Sequence, residues 1–188
     1  MFDRVCRELH IGRAGRSGAG AEHLFLINFL PSVIYEPAFC LRTTVQALEG
    51  TGLQPGQIVF EVVETEGIED HAHLRDILRY YRDHGFRVAL DDLSSGYSGL
   101  SLMADLDPDL IKIDRGVVAR SVDSAAHGEV CRAIVGLARS RGRRVLAEGV
   151  ETTAQRDFMR ALGVDLMQGF LFGRPAPTLA AAPAAGGG

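Results

Sequence analysis

The chain has 188 residues, of which 46% are hydrophobic and 23% are charged, as in an ordinary globular domain with its own core. No apolar run is long enough to span a bilayer, and the net charge of −4 argues against a DNA or RNA polymer as partner. Three widely spaced cysteines predict reduced thiols, and residues 1–20 lack signal-peptide features. We therefore expect a cytoplasmic protein, unless the chain was cut from a longer membrane protein.

Residues 12–21 form a glycine-rich segment. We expect a flexible linker there, because no strand precedes it and no Gly-Lys-Ser/Thr ends it. From residue 23 onward, short apolar segments alternate with helix-like ones. Six strands are predicted: Leu24–Phe29, Gln57–Val62, Phe86–Leu90, Leu110–Ile113, Arg144–Ala147 and Val164–Phe170. Such runs are typical of parallel strands buried on both faces.

The segments between these strands have helical periodicity. Two apolar faces are predicted, one at Leu74, Ile77, Leu78 and Tyr81 and the other at Val130, Ile134, Leu137 and Ala138. A glycine follows each of four predicted helices, at Gly50, Gly85, Gly142 and Gly163. Thr152 with Gln155 forms a capping box for the last helix.

The alternation of strands and helices predicts a parallel α/β fold. Two architectures stay open. One is a (β/α)8 barrel without its first unit, because a complete barrel takes about 250 residues. The other is a doubly wound open sheet. Residues 176–188 form an Ala/Pro/Gly tail that we expect to be disordered.

Each predicted strand carries a polar group at or just beyond its carboxyl end. In parallel α/β proteins these ends meet in one place, where functional groups gather. Burying several carboxylates together is costly unless cations pair with them, and hard divalent ions prefer oxygen ligands. We favour a metal site over solvated loops for the set Asn28, Glu61, Glu64, Asp91, Asp92, Lys112, Asp114, Glu148, Glu151 and Gln168.

The adjacent pair Asp91 and Asp92 predicts more than one ion. Two metals about 3.5–4 Å apart clamp a phosphodiester in known two-metal sites, and a bridging carboxylate such as Asp91 would hold them together. Lys112 would orient the water or stabilise the developing charge. Considered alone, Lys112 is better explained as a plain salt-bridge partner.

Five motifs in order resemble those of the EAL domain family. Phe60–Glu64 is similar to its Glu-x-x-Glu strand, and residues 89–98 to its Asp-Asp-Phe-Gly-x-Gly-Tyr-Ser loop. Ile111–Asp114, Ala147–Glu151 and Gln168–Phe170 resemble three further motifs, and Asn28 stands where the family has an asparagine metal ligand. The resemblance covers about residues 22–175.

The resemblance implies a (β/α)8 TIM-like barrel of the EAL type that hydrolyses cyclic-di-GMP to linear pGpG in bacterial second-messenger signalling, using two divalent cations, Mg²⁺ or Mn²⁺. By matching, the metal ligands would be Asn28, Glu61, Asp91 and Asp92. Lys112 and Glu148 would act on the attacking water, with Glu148 as the candidate general base. Support of the substrate or of the loops would come from Glu64, Asp114, Glu151 and Gln168.

The chain also departs from the family pattern. The signature Glu-Ala-Leu does not occur in it, and Leu93 and Ser94 replace the usual Phe and Gly. Residues 2–10 resemble the end of the helix before the Asn28 strand, so we expect the first strand upstream of Met1 and a partial EAL domain at residues 1–175. One family ligand would then be absent, and we expect these 188 residues alone to hydrolyse cyclic-di-GMP weakly or not at all. The alternative function is a degenerate EAL module that binds cyclic-di-GMP or a protein without cleavage.

The resemblance implies two kinds of protein contact. The loop at residues 92–98 couples metal binding to dimerisation in the family, so a homodimer through this loop is an expectation. In a longer chain, an upstream sensory or diguanylate cyclase-like domain is an open alternative for the second contact.

Overall fold

The computed structural model describes residues 2–29, 37–63, 71–91 and 99–176. Within these ranges six strands form one sheet: β1 (Phe25–Phe29), β2 (Ile58–Val63), β3 (Arg87–Asp91), β4 (Leu110–Ile113), β5 (Arg144–Ala147) and β6 (Leu166–Met167). The helices are α1 (Phe2–Arg16), α2 (Pro37–Leu48), α3 (His71–Asp83), α4 (Gly99–Leu106), α5 (Arg115–Arg120), α6 (Ala125–Ser140) and α7 (Thr153–Leu162), with a 3₁₀ turn at Pro55–Gln57.

All neighbouring strands are parallel, and their order in the sheet is their order in the chain, from β1 to β6. A doubly wound sheet has a point at which the strand order reverses, and this sheet has none among its described strands. The doubly wound alternative is therefore wrong. The strands form the arc of an incomplete TIM-like barrel.

The two faces of the sheet bury apolar residues in separate clusters. Strand residues such as Phe60, Val88 and Ile111 pack with the helices in the larger core. The opposite face holds a second cluster, which we call the inner layer and which consists of Val59, Ala89, Leu110 and Leu146, with Leu24, Leu26 and Leu166 packed against it. Burial on both faces is the reason for the nearly continuous apolar strands in the sequence.

The predicted helix ends and the predicted face of α3 are confirmed. Leu74, Ile77, Leu78 and Tyr81 are all almost fully buried. The four glycines predicted to follow helices have positive φ angles, between 65° and 84°. The Thr152 hydroxyl accepts a hydrogen bond from the Gln155 amide, and the Gln155 side chain completes the capping box that begins α7.

The prediction of a linker at residues 12–21 is wrong for its first part, because α1 continues to Arg16. Ile11 is fully buried and Ala14 is 6% exposed, so packing of this helix outweighs the low helix propensity of its glycines. Gly15 lies so close to Thr51 that a β-carbon would come within 2.5 Å of the threonine side chain. A glycine here permits close packing of the helix end.

The predicted face of α6 is also partly wrong. The buried stripe consists of Cys131, Ile134, Val135 and Ala138, with the spacing of a helix face. Val130 and Leu137 are 42% and 38% exposed and lie beside this stripe. The predicted stripe shares Ile134 and Ala138 with it, and periodicity alone did not separate the two choices.

The last strand is shorter than predicted, since β6 contains two residues and a turn follows at residues 169–172. Residues 177–188 of the predicted tail lie outside the described ranges. In the described part of the chain, no helix combines the length and the apolar character that a membrane span requires.

Candidate active site at the carboxyl ends of the strands

A row of polar residues lies directly beyond the inner layer. Each member follows an inner-layer residue, or one packed against it, by two positions, so strand alternation directs it to the same face. The strand register places Asn28 opposite Glu61 and Val63 opposite Asp91. The row consists of Asn28, Glu61, Asp91, Lys112, Glu148 and Gln168.

Lys112 is the centre of this row. Its ammonium nitrogen lies 2.6 Å from Glu61 Oε1, 2.9 Å from Asp91 Oδ2 and 2.6 Å from Glu148 Oε1. The Lys112 side chain is 4% exposed, and those of the three carboxylates are 11–19% exposed. We call these four residues the Lys112 cluster. The three donors of an ammonium group match three carboxylate partners.

The cluster changes the proton affinity of two of its members. Burial acts to lower the pKa of Lys112, but hydrogen bonds with Asp91, Glu148 and Glu61 outweigh it and raise this pKa. Burial raises the pKa of Glu148, Lys112 opposes this effect, and the charges of Asp91 and Glu61 add to it. Lys112 is therefore a fixed cation, and Glu148 is a carboxylate with an enhanced tendency to accept a proton.

Gln168 extends the cluster to the sixth strand. Its side-chain nitrogen donates a hydrogen bond to Glu148 Oε1 at 2.7 Å, the same oxygen that Lys112 contacts. The next residue, Gly169, packs against the loop after β5, where a β-carbon would lie 2.2 Å from the Val150 carbonyl oxygen. The Val150 amide also donates to the Gln168 carbonyl at 3.0 Å. Backbone packing between the two loops thus positions the Gln168 side chain.

The remaining predicted site residues do not contact Lys112 in the part of the chain that the structure describes. Asn28 belongs to the row and is exposed to solvent. Asp114 caps α5 by accepting a hydrogen bond from the Gly116 amide at 2.7 Å. Glu151 lies at the surface, 4.0 Å from the Arg115 guanidinium. Glu64 and Asp92 fall outside the described residues, and their predicted roles stay predictions.

The lysine content of the sequence points to the centre of the site. Lys112 is the only lysine in the chain, and every other basic residue apart from histidine is arginine. A compact ammonium with three rotatable donors fits among three carboxylates, whereas the planar guanidinium suits two-point pairing. The inner layer, which forms the apolar floor beneath the cluster, was not identified as part of the site.

The charge and the donor atoms of the cluster fit a divalent cation. Three carboxylates against one ammonium leave two negative charges in a largely buried place, and carboxylate oxygens are the ligands that Mg²⁺, Mn²⁺ and Ca²⁺ accept. In the described ranges, no three His, Cys, Asp or Glu side chains are arranged as a ready metal cage. The three carboxylates already surround the Lys112 nitrogen, so a divalent cation bound here would need further oxygen ligands.

Comparison with known proteins agrees with this geometry. A family model described as the EAL domain matches residues 1–175. MucR of Pseudomonas aeruginosa, a bifunctional diguanylate cyclase/cyclic di-GMP phosphodiesterase, is 32% identical over 177 residues, which are 94% of this chain and 25% of MucR. The chain therefore spans about a quarter of that relative.

Solved structures match over nearly the whole chain. A standalone versatile EAL protein from Vibrio cholerae O395, in its c-di-GMP-bound form, is 36% identical with a TM-score of 0.89, covering 98% of this chain and 77% of that one. Klebsiella pneumoniae BlrP1, in a manganese/cy-diGMP complex, is 35% identical with a TM-score of 0.85, covering 95% of this chain and 45% of that one.

The fold and the site together define a parallel α/β protein of incomplete TIM-like barrel form, with an acidic, lysine-centred site at the carboxyl ends of its strands. The chain belongs to the EAL domain family. Its relatives include proteins named as cyclic di-GMP phosphodiesterases.

Proposed function

We propose that this chain is the catalytic part of a cyclic-di-GMP phosphodiesterase, which hydrolyses the cyclic dinucleotide to linear pGpG with two divalent cations, Mg²⁺ or Mn²⁺. The observation that carries the proposal is the Lys112 cluster, in which three carboxylates from β2, β3 and the end of β5 meet at one ammonium. The names of the relatives support the choice of substrate.

The residues that would hold the cations are Asn28, Glu61, Asp91 and Asp92. When bound, such cations neutralise charge on a phosphodiester and lower the pKa of a coordinated water. Glu61 and Asp91 come from neighbouring strands, and both contact Lys112. Because its raised pKa keeps Lys112 protonated near neutral pH, it would hold these two carboxylates close together and in a fixed orientation rather than remove a proton.

Glu148 would accept the proton of the attacking water. A general base works best when its pKa approaches the pH of the reaction, and burial raises the pKa of Glu148 in that direction. Lys112 and Gln168 both contact Oε1 of this carboxylate and restrain it, and Oε2 would take the proton. Gln168 would thus orient the base.

A second candidate function is a module that binds cyclic-di-GMP without cleaving it. It is favoured by the absence of the Glu-Ala-Leu signature from the 188 residues, because the signature glutamate is a metal ligand in the family. The two candidates share the ligand and differ in turnover.

The test measures pGpG formation by this chain and by a version with a restored first strand and, separately, equilibrium binding of cyclic-di-GMP in Ca²⁺. Product that requires Mg²⁺ or Mn²⁺ and disappears in Asp91→Asn supports the phosphodiesterase. Asp123→Asn, which changes an exposed carboxylate on a turn, is the matched control and should leave product formation unchanged. Binding without product in the restored version selects the second candidate, and neither binding nor product in either version refutes both.

A further inference from the structure

Arg115 lies at the rim of the site but has no part in the Lys112 cluster. It begins α5, three residues after Lys112 and directly beyond the carboxyl end of β4. Its side chain is 71% exposed. A guanidinium is therefore presented to solvent at the end of the sheet where the substrate would enter.

The stem of Arg115 packs across the neighbouring loop of the site. A β-carbon on Gly149, the residue after Glu148, would lie 2.4 Å from Cγ of Arg115 and 2.8 Å from its Cβ. Gly149 has a φ of 66°, a conformation that favours glycine, and the missing side chain leaves room for the arginine. The loop next to Glu148 thus supports the Arg115 side chain.

Local stability does not account for an arginine here. A cation in the first turn of a helix opposes the helix dipole, and the cap of α5 comes from Asp114. The Arg115 guanidinium lies 4.0 Å from Glu151, whose side chain is 46% exposed. Exposed pairs at such a distance contribute little to the free energy of unfolding.

We propose that Arg115 is a substrate-binding residue, whose guanidinium contacts a phosphodiester oxygen of the cyclic dinucleotide at the rim of the site. This inference rests on the proposed ligand. A supported guanidinium beside the site would form charge-assisted hydrogen bonds with a phosphate oxygen.

The experiment measures the Kd of cyclic-di-GMP in Ca²⁺, over a range of salt concentrations, for the unchanged chain and for Arg115→Gln. We expect Arg115→Gln to weaken binding by about tenfold, as expected for the loss of a charge-assisted hydrogen bond, and to make the salt dependence less steep. Arg115→Lys keeps the charge and should recover part of the affinity. Arg120→Gln, at the other end of α5, is the matched control and should bind like the unchanged chain.

The variant Glu151→Gln separates substrate binding from the surface ion pair, because it breaks the pair and leaves the Arg115 guanidinium in place. Binding weakened as much as in Arg115→Gln would show that the pair alone matters and would overturn the inference. Affinity close to that of the unchanged chain supports it. Normal affinity in Arg115→Gln overturns the role of Arg115 and leaves the proposed function intact, whereas no binding by the unchanged chain overturns both.

Discussion

The substitution Lys112→Met tests the Lys112 cluster most directly. Methionine has nearly the length of lysine and no charge, so the change removes the ammonium without opening a large cavity. It leaves Glu61, Asp91 and Glu148 close together in a place where their side chains are 11–19% exposed. Their mutual repulsion then has no opposing charge in the cluster.

The expected loss follows from this burial. Removing one partner of a buried ion pair costs about 3–5 kcal/mol of the free energy of unfolding. We take the lower end, about 3 kcal/mol, because the carboxylates keep partial contact with water. For a chain of this size that loss lowers Tm by roughly 6–12 °C.

The difference in the free energy of unfolding between Lys112→Met and the unchanged chain is measured by urea unfolding near neutral pH, with a chelator present and circular dichroism as the signal. The pKa of Lys112 is raised above its unfolded value of about 10.4, so its stabilising effect is fully present below that pH and is lost only as the pH rises through the folded value. Neutral pH therefore reports the whole effect. Arg120→Met, which removes an exposed cation, is the control and should change stability by less than about 0.5 kcal/mol.

A Lys112→Met variant that unfolds at the same urea concentration and with the same m-value as the unchanged chain would refute this reasoning. The loss should also shrink in acid, because removing Lys112 takes away the influence that lowers the pKa of Glu148, and protonation of Glu148 then relieves repulsion. A loss that is independent of pH would indicate a packing defect instead of an electrostatic one.

Two further predictions concern the rim of the cluster. Glu148→Gln should abolish turnover yet raise the free energy of unfolding near neutral pH, because the raised pKa of Glu148 means that its charged form destabilises the fold above that pKa. The gain should vanish below the ordinary glutamate pKa of about 4.3, and a stability loss in a urea titration would contradict the prediction. Gly169→Ala should lower the free energy of unfolding by about 1–3 kcal/mol, because its β-carbon would clash with the Val150 backbone. Gly136→Ala lies in an open position on α6 and should raise the free energy of unfolding by about 0.5–1 kcal/mol. Equal melting temperatures of the two variants would refute this contrast.

The order of the strands and their polar ends could be predicted from local patterns. Leu110–Ile113 and Arg144–Ala147 were predicted with the bounds that the structure has, because burial on both faces demands short apolar runs. Periodicity was less decisive for helices. It selected the right face of α3 but not of α6, where two overlapping stripes are similarly apolar and only packing against the sheet distinguishes them.

Local propensity failed where distant residues compensate for it. Residues 12–16 look like a linker because of their glycines, yet they complete α1, since Ile11 and Ala14 are buried and Gly15 fits against Thr51. The burial of these side chains depends on α2 and the segment after it, which lie more than 20 residues away.

The sequence by itself determined that polar groups stand at the strand ends, and its motifs in order determined the family. Only the tertiary structure decided which of these groups meet. Lys112 contacts carboxylates that lie 51, 21 and 36 positions away, and the pKa of Glu148 rises because of the burial and the charges found there. These contacts arise from the register of four parallel strands, a property of the sheet that no single segment encodes.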